Sequence, residues 1–254
     1  MNKVKFVVIS YQRTGSTFLV LTLNELDGVI CHSELFNPGK DAFTNSIFDK
    51  NIYQDLNLFD KLFNKKKEDK LFILKNRNPE KFLRRIYNQK AQAVGFKIFP
   101  GQNDLILDTL IFDRSVKKIL LERKNLLRSY VSKKIAENTG LWSQSKDKEV
   151  ILKKTEVDID RFFAYSNMID EGMNSIREKL TGTKQQVLEL TYEEITTTFP
   201  LKKLTQFLEI ENAKHIPEVN QKKQNPFPLS EMILNYDELS EHLNNTEYEK
   251  YLFD

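Results

Sequence analysis

A short polar turn at residues 10–17, between a predicted strand and a predicted helix, carries residue types that bind anions. Backbone N–H groups of such a turn and the positive end of the helix dipole converge on one point. A nucleotide-triphosphate loop reads Gly-x-x-x-x-Gly-Lys-Ser/Thr, with the Lys on the β- and γ-phosphates and the hydroxyl on Mg²⁺. Here Gly15 occupies the second Gly position, but Ser10 replaces the first Gly. Ser16 replaces the Lys, and Arg13 precedes Gly15. The turn therefore predicts an anion site without the γ-phosphate and metal apparatus.

Predicted strands and helices alternate along the chain, and their order determines where this turn lies. The alternation predicts an α/β fold with a central, mainly parallel sheet flanked by helices on both faces. In such sheets ligands bind at the carboxyl ends of the strands, which is where the turn follows its strand. The predicted strands are residues 4–9, 29–31, 93–99, 116–121 and 186–190. The predicted helices are residues 17–26, 104–112, 125–137, 158–180 and 201–208, and a further one that begins at Asn78.

The composition limits the classes of protein to which the chain can belong. Of its 254 residues, 40% are hydrophobic and 30% charged, as in a globular protein rather than a disordered one. A net charge of +3 is too small to indicate a nucleic-acid partner. With a single cysteine, Cys31, no disulfide can form within the chain, which favours a reducing compartment. No internal repeat or composition break is visible, so residues 1–254 are predicted to form one domain, with the weakest pattern from about residue 211 onward.

The sequence also lacks the patterns of several other classes. No apolar run approaches the ~20 residues of a transmembrane helix, and the first residues read as a strand rather than a signal peptide. We therefore expect a cytoplasmic protein. His32, His215 and His242 do not have the spacing of metal ligands, so no metal is expected. The Gly-x-Ser-x-Gly nucleophile pattern and the dinucleotide-binding fingerprint are both missing.

Three segments together resemble one enzyme family. The first is the turn at residues 12–17, Gln-Arg-Thr-Gly-Ser-Thr. The second, residues 120–132, is a predicted strand that ends at Arg123 and leads into a helix carrying Ser132. The third is Ala-Glu-Asn-Thr-Gly-Leu-Trp at residues 136–142. In order and spacing they resemble the sulfotransferases that use 3′-phosphoadenosine 5′-phosphosulfate, and most of all the bacterial carbohydrate branch, which includes trehalose 2-sulfotransferase and the nodulation-factor sulfotransferases. The resemblance covers roughly residues 4 to 210 and implies a P-loop-like sulfotransferase fold.

The resemblance implies that the turn holds the 5′-phosphosulfate of the donor. Backbone N–H groups and hydroxyls bind it, from Thr14, Gly15, Ser16 and Thr17. Arg13 also binds the donor and has a catalytic role, because it neutralises the charge that develops on the bridging oxygen as the sulfuryl group leaves. A preorganised donor of this kind contributes on the order of 3 kcal/mol to catalysis.

A second anion site is implied for the 3′-phosphate. Arg123 and Ser132 match the family's segment for this group, and Arg suits phosphate because its guanidinium donates two parallel hydrogen bonds. Many relatives carry the Arg where Lys124 stands, and Arg128 and Ser129 could also face inward. The structural alternative for the segment is a solvated helix face after a core strand.

The acceptor hydroxyl needs a general base, and the resemblance assigns this role to Glu34. This residue follows the second predicted strand, at the edge of the sheet where ligands should bind. Two alternatives stay open. Glu34 could cap the turn or pair with an Arg, and the neighbouring His32 could act as the base instead.

Other residues have two interpretations each. Lys97, a charge within an apolar strand, faces the site or points outward near the strand end. Trp142 stacks on a sugar or adenine ring, or packs in the core. Lys222 and Lys223 belong to a tail that closes over the 3′-phosphate in many sulfotransferases, although the Gly-rich form of that loop is missing here. Residues 65–90 are rich in Lys and Arg, which indicates a solvated face or a surface for an anionic acceptor.

The sequence therefore predicts a sulfotransferase that moves a sulfuryl group from 3′-phosphoadenosine 5′-phosphosulfate to a hydroxyl of a carbohydrate or glycolipid, in line and without a metal. One alternative is a small-molecule kinase of the P-loop class, which would depend on ATP and Mg²⁺. Another is a member that binds the nucleotide without turnover. Neither the identity of the acceptor nor the oligomeric state follows from the sequence.

Overall fold

The computed structural model describes residues 3–39, 43, 46–48, 67–144, 146–211, 218–219 and 221–253. Within these residues five strands form one sheet in the order β2-β3-β1-β4-β5, and every pair of neighbours is parallel. Helices flank the sheet, which confirms the predicted fold class. The strands are β1 Val4–Ser10, β2 Val29–His32, β3 Ala93–Ile98, β4 Val116–Glu122 and β5 Val187–Thr191. The helices are α1 Ser16–Asn24, α2 Lys67–Arg77, α3 Pro79–Tyr87, α4 Asp104–Phe112, α5 Leu126–Thr139, α6 Ile159–Thr181, α7 Tyr192–Thr197, α8 Leu201–Phe207, α9 Leu229–Met232 and α10 Tyr236–Leu243, with a 3₁₀ helix at Glu249–Tyr251.

The central strand β1 pairs with β3 on one side and with β4 on the other. The chain passes from β1 to β2 and β3 on one side, and then crosses to β4 and β5 on the other. The connections that leave β1 and β4 therefore run to opposite sides, and a crevice opens between the carboxyl ends of these two strands. The turn at residues 11–15 lies in this crevice.

A separate hydrophobic core covers each face of the sheet. Strand β1 contributes to both cores because its successive residues point to opposite faces. Val7 and Ile9 belong to the core that includes the apolar sides of α3 to α6, while Phe6 and Val8 belong to the one that includes α1 and α8. All four side chains are fully buried. A strand buried on both faces is typical of a parallel sheet.

Every predicted element is present, with bounds that differ from the observed ones by no more than two residues. Asn78 caps α3 as expected, because its side chain accepts a hydrogen bond from the backbone N–H of Lys81. Helices α2, α7, α9 and α10 were not predicted. Two of them are short, and α7 begins at a capping box of Thr191 and Glu194 that the sequence already shows.

Candidate active site

The predicted anion loop leaves the first turn of α1 open to a ligand. Gly15 precedes the helix with φ of +79°, and among the described residues no side chain caps the N-terminus. The first N–H groups of a helix have no partner within it, so here they are free to bind an anion. A Cβ on Gly15 would lie 2.8 Å from Cδ2 of Tyr192, so both the backbone angle and the packing require glycine. Arg13 also has a positive φ, +66°, which helps the chain reverse direction before the helix.

The loop opens into a cavity of about 450 Å³. Its walls come from the start of α1, the end of β4, helix α5, the segment after α5, helix α7 and the tail at residues 221–225. Five of the lining side chains carry a positive charge, and none of the lining residues that the structure describes is Asp or Glu: the cations are Arg13, Arg123, Arg128, Lys222 and Lys223. A cavity with this charge distribution favours a ligand with several negative charges.

Arg123 is the buried cation directly after β4, and the described residues do not satisfy all of its hydrogen-bond donors. Its side chain is only 8% exposed and its guanidinium lies 4.1 Å from the ring centroid of Tyr192. Its Nη1 donates to the carbonyl of Arg13 over 3.3 Å, while its buried Nε has no hydrogen-bond partner among the described residues. Burial lowers the pKa of Arg123, and the nearby Tyr192 and Glu193 partly oppose that shift. An anion in the cavity would satisfy the free N–H and the charge.

The other two candidates for the second anion site have different surroundings. Lys124 is exposed, does not line the cavity, and its backbone N–H donates to Glu193. Arg128 is buried and lines the cavity, but it donates to the carbonyl oxygens of Asn225 and Phe227, over 3.4 and 3.0 Å. Arg128 therefore anchors the tail at the edge of the cavity.

Arg13 crosses the cavity and joins three of its walls. Its Nε donates to Ser132 Oγ over 2.9 Å, its Nη1 to the carbonyl of Trp142 over 2.6 Å, and its Nη2 to Gln224 Oε1 over 2.5 Å. Burial, and then the charge of Arg123, lower the pKa of Arg13 to about 10, so it stays cationic at neutral pH. The guanidinium thus lies beside Ser132, on the side of the cavity predicted for the 3′-phosphate.

The tail closes one side of the cavity through two amide side chains. Asn225 Nδ2 donates to Ser132 Oγ over 3.2 Å, and Gln224 Nε2 donates to the carbonyl of Leu141 over 2.5 Å. These contacts place Lys222 and Lys223 on the cavity wall. The indole of Trp142 is 49% exposed, so it does not pack in the core.

Two of the predicted site residues do not line the cavity. The hydroxyl of Thr14 donates to the carbonyl of Tyr11 over 2.9 Å and turns away from the loop mouth. Glu34 lies on the β2 and β3 side, where Lys97 links it to the loop. The Nζ of Lys97 is 3.1 Å from Glu34 Oε1 and 3.0 Å from Thr17 Oγ1. Glu34 therefore lies within two hydrogen-bond lengths of the predicted phosphosulfate loop.

Lys97 points inward, as one of its two interpretations required. Its side chain is 3% exposed, and burial lowers its pKa while Glu34 raises it. Glu34 is half-buried and also accepts hydrogen bonds from Gln102 Nε2 and Asn37 Nδ2, over 2.9 and 3.2 Å. His32 is fully buried against Gln89, so it is not placed to meet an acceptor hydroxyl.

Several residues of the site were missed from the sequence. Tyr192 packs against both Gly15 and Arg123, and Gln102 contacts Glu34. For Gln102 a positional signal existed, since it follows β3 at the carboxyl edge of the sheet. Tyr192 begins a helix directly after β5, at the same edge.

The described residues contain no group of three or more His, Cys, Asp or Glu side chains that could hold a metal ion. His215 lies outside them. No helix within this part of the chain is long and apolar enough to cross a membrane.

No family model matches the chain, and no curated protein matches it either. Among solved structures, it is similar to a sulfotransferase from Alicyclobacillus acidocaldarius, with 12% identity, a TM-score of 0.49, and 96% of this chain and 90% of that one covered. The sulfotransferase domain from the curacin biosynthetic pathway has 13% identity and a TM-score of 0.48 over 99% and 90% of the two chains. Mouse sulfotransferase SULT7A1 complexed with PAP has 16% identity and a TM-score of 0.38 over 99% and 89%. Similarity at this level does not assign the chain to a family.

The packing around Gly15 can be tested by comparison with Gly140. Both residues have a positive φ, but only Gly140 has free space where a Cβ would lie. Gly140 has φ of +69°, and nothing lies within 4 Å of the position that a Cβ would take there, whereas Gly15 has Tyr192 in the way. We expect Gly140→Ala to cost about 1 kcal/mol of unfolding free energy, through backbone strain alone. Gly15→Ala should cost about 1–2 kcal/mol more, because the Tyr192 ring must move.

Urea unfolding of the two variants measures the difference. Equal losses for Gly15→Ala and Gly140→Ala would contradict the tight packing of the loop on Tyr192.

Proposed function

We propose that this protein is a sulfotransferase that moves the sulfuryl group of 3′-phosphoadenosine 5′-phosphosulfate to a hydroxyl of a carbohydrate or glycolipid acceptor. The observation that carries the proposal is one cavity that contains two places for an anion. One is the open N-terminus of α1, at Gly15 to Thr17, and the other is the partly unsatisfied guanidinium of Arg123. This donor carries a 5′-phosphosulfate and a separate 3′-phosphate, so it needs two such places.

The two anion places are held together by direct contacts. Arg123 donates to the backbone of the loop at Arg13, and the ring of Tyr192 packs against both Gly15 and Arg123. In the proposed complex the 5′-phosphosulfate lies on the N–H groups and hydroxyls of Ser16 and Thr17. The 3′-phosphate lies on Arg123 and Ser132.

The charges in the cavity support this donor over a nucleoside triphosphate with Mg²⁺. Magnesium in kinases is held by carboxylates and a hydroxyl, together with the phosphates. None of the described residues that line the cavity is Asp or Glu, and the hydroxyl of Thr17 accepts a hydrogen bond from Lys97. The replacement of the loop Lys by Ser16 also favours this donor over a nucleoside triphosphate.

The proposed reaction is an in-line displacement at sulfur. The acceptor O–H bond breaks, its proton passes to Glu34, and the acceptor oxygen bonds to sulfur. The bond from sulfur to the bridging oxygen breaks, and 3′-phosphoadenosine 5′-phosphate leaves with the electron pair. Arg13 neutralises the charge on that oxygen, which requires it to exchange at least one of its bonds to Ser132, Trp142 and Gln224 for the donor.

Lys97 links the base to the loop in this scheme, because its ammonium contacts both Glu34 and Thr17. The buried ammonium attracts the carboxylate of Glu34 and, in the proposed complex, the negative charge of the phosphosulfate beside Thr17. The acceptor class is supported by the sequence resemblance to the carbohydrate branch. A cytoplasmic location stays a prediction, as do the single domain and the absence of a metal.

Ligand-dependent thermal stability tests the donor. We expect 3′-phosphoadenosine 5′-phosphate to raise the melting temperature, with a gain of about 2.7 kcal/mol at a hundredfold excess over its Kd. AMP, which lacks the 3′-phosphate, should have a smaller effect, and ATP with Mg²⁺ little effect. A larger shift with ATP and Mg²⁺ than with 3′-phosphoadenosine 5′-phosphate would favour the kinase alternative and contradict the proposal.

Replacement of Arg123 by Met tests the 3′-phosphate site. We expect the affinity for 3′-phosphoadenosine 5′-phosphate to fall about 10- to 100-fold in calorimetric titration, since a charge-assisted bond of about 1.5–3 kcal/mol is lost. Affinity for AMP should change far less. Lys124→Met is the matched control because it removes a neighbouring exposed charge. If Lys124→Met has the larger effect, the 3′-phosphate site has been placed on the wrong residue.

Replacement of Glu34 by Gln tests the base. The amide cannot accept the acceptor proton, so we expect the rate of sulfuryl transfer from labelled donor to fall about 10²- to 10⁴-fold. The melting-temperature shift with 3′-phosphoadenosine 5′-phosphate should be retained, because Glu34 does not line the donor cavity. Transfer at the wild-type rate would exclude Glu34 as the base.

A further inference from the structure

The carboxylate of Glu34 is held by three donors on separate elements. Lys97 on β3 contacts Oε1, while Gln102 after β3 and Asn37 after β2 both donate to Oε2. A carboxylate offers about four in-plane sites for a donor, two on each oxygen. Among the described residues, two donors occupy Oε2 and one occupies Oε1, so the free site is on Oε1. That oxygen also contacts Lys97, and through it the loop at Thr17.

The side chain of Gln102 is fixed in one orientation by its second contact. Its Oε1 accepts a hydrogen bond from the backbone N–H of Phe99 over 3.1 Å, and its own backbone N–H donates to the Phe99 carbonyl over 3.1 Å. Because Phe99 N–H can only donate, the amide must present its Nε2 to Glu34. Two hydrogen bonds between Phe99 and Gln102 therefore hold this turn, and they orient one N–H of the Gln102 side chain toward Oε2 of Glu34.

Asn37 is fixed in a similar way from the other side. Its Oδ1 accepts from the N–H of Gly39 over 2.8 Å, and its carbonyl accepts from the buried Nζ of Lys75 over 2.5 Å. Lys75, which belongs to the Lys- and Arg-rich stretch, lies 4.3 Å from the ring centroid of Phe72 and is 3% exposed. The buried ammonium of Lys75 therefore holds in place the turn that carries Glu34.

From these contacts we infer that Gln102 is a positioning residue: with Asn37, it occupies Oε2 of Glu34 so that the acceptor proton is taken by Oε1, the oxygen next to the phosphosulfate loop. The inference rests on the proposed function. Only a proton taken at Oε1 leaves the attacking hydroxyl beside Lys97 and Thr17. A carboxylate turned toward the other oxygen would hold the hydroxyl away from the sulfur, and small displacements of a reacting group are costly in rate.

Two substitutions separate positioning from mere support of the turn. Gln102→Met removes both contacts, while Gln102→Glu keeps an oxygen for the Phe99 N–H but replaces the N–H aimed at Glu34 by a second carboxylate oxygen. A structural role would leave Gln102→Glu close to the wild type. Gln206→Glu, on the exposed side of α8, is the control for the change of charge.

The assay uses labelled 3′-phosphoadenosine 5′-phosphosulfate and whichever free mono- or disaccharide the wild type sulfates fastest. We expect kcat to fall about 10- to 100-fold in Gln102→Met and at least as far in Gln102→Glu. The KM for the donor and the melting-temperature shift with 3′-phosphoadenosine 5′-phosphate should not change, and Gln206→Glu should behave as the wild type. If Gln102→Met does not fold, Gln102→Glu carries the test, because it keeps the bond to Phe99.

A wild-type kcat in Gln102→Glu would overturn the inference while the proposed function stands. A loss of donor affinity equal to the loss of kcat would also overturn it, since that result indicates a general distortion. Absence of sulfuryl transfer by the wild-type protein with every sugar tested would overturn the proposed function, and the positioning role with it.

Discussion

The site depends on one electrostatic constraint: several cations share a partly buried cavity in which none of the described lining residues is a carboxylate. Burial lowers the pKa of Arg13, and the nearby charge of Arg123 acts in the same direction. Like charges in such a place are unfavourable unless an anion or other groups balance them. Carbonyl oxygens of the chain do part of this, at Trp142 for Arg13 and at Asn225 for Arg128. The N–H of Arg123 that has no partner among the described residues shows where the balance is incomplete.

The sheet explains why these cations meet. Residues directly after β1, β4 and β5 all lie at the carboxyl edge of the sheet. The predicted anion loop, Arg123 and Tyr192 are therefore neighbours, although they are far apart in the chain. Residues after β2 and β3 lie at the same edge on the other side of β1, and these are Glu34 and Gln102. Lys97 within β3 joins the two sides through its contacts with Thr17 and Glu34. Glu34 and the predicted anion loop are therefore both positioned by the carboxyl edge of one sheet.

The fold could be read from the sequence because its signals are local. Buried strands are visible in the sequence as apolar runs, and Asn78 followed by Pro79 predicts the start of α3. The loop at Gly15 and Arg123 after β4 were also predictable, since each follows a strand whose end was clear. What could not be predicted are contacts set by side-chain conformation across the chain. The bonds of Arg13 to Ser132 and Gln224, and that of Gln102 to Glu34, join residues 119, 211 and 68 positions apart.

The three candidates for the 3′-phosphate illustrate the same limit. Sequence places Arg123, Lys124 and Arg128 within six residues, and composition cannot distinguish them. One step along the chain at a strand end turns a side chain to the opposite side. This is why Arg123 lines the cavity and its neighbour Lys124 does not. Arg128 also reaches the cavity, but its Nη1 and Nη2 donate to backbone carbonyls of the tail, at Asn225 and Phe227.

A crystal structure of the protein with 3′-phosphoadenosine 5′-phosphate, grown without sulfate or phosphate, would show whether one nucleotide occupies both anion places. We expect the 5′-phosphate on the N–H groups at the start of α1 and the 3′-phosphate within hydrogen-bond distance of Arg123 Nε and Ser132 Oγ, with no metal ion between them. A nucleotide bound outside this cavity, or a 3′-phosphate held by Lys124 with Arg123 still unsatisfied, would contradict it.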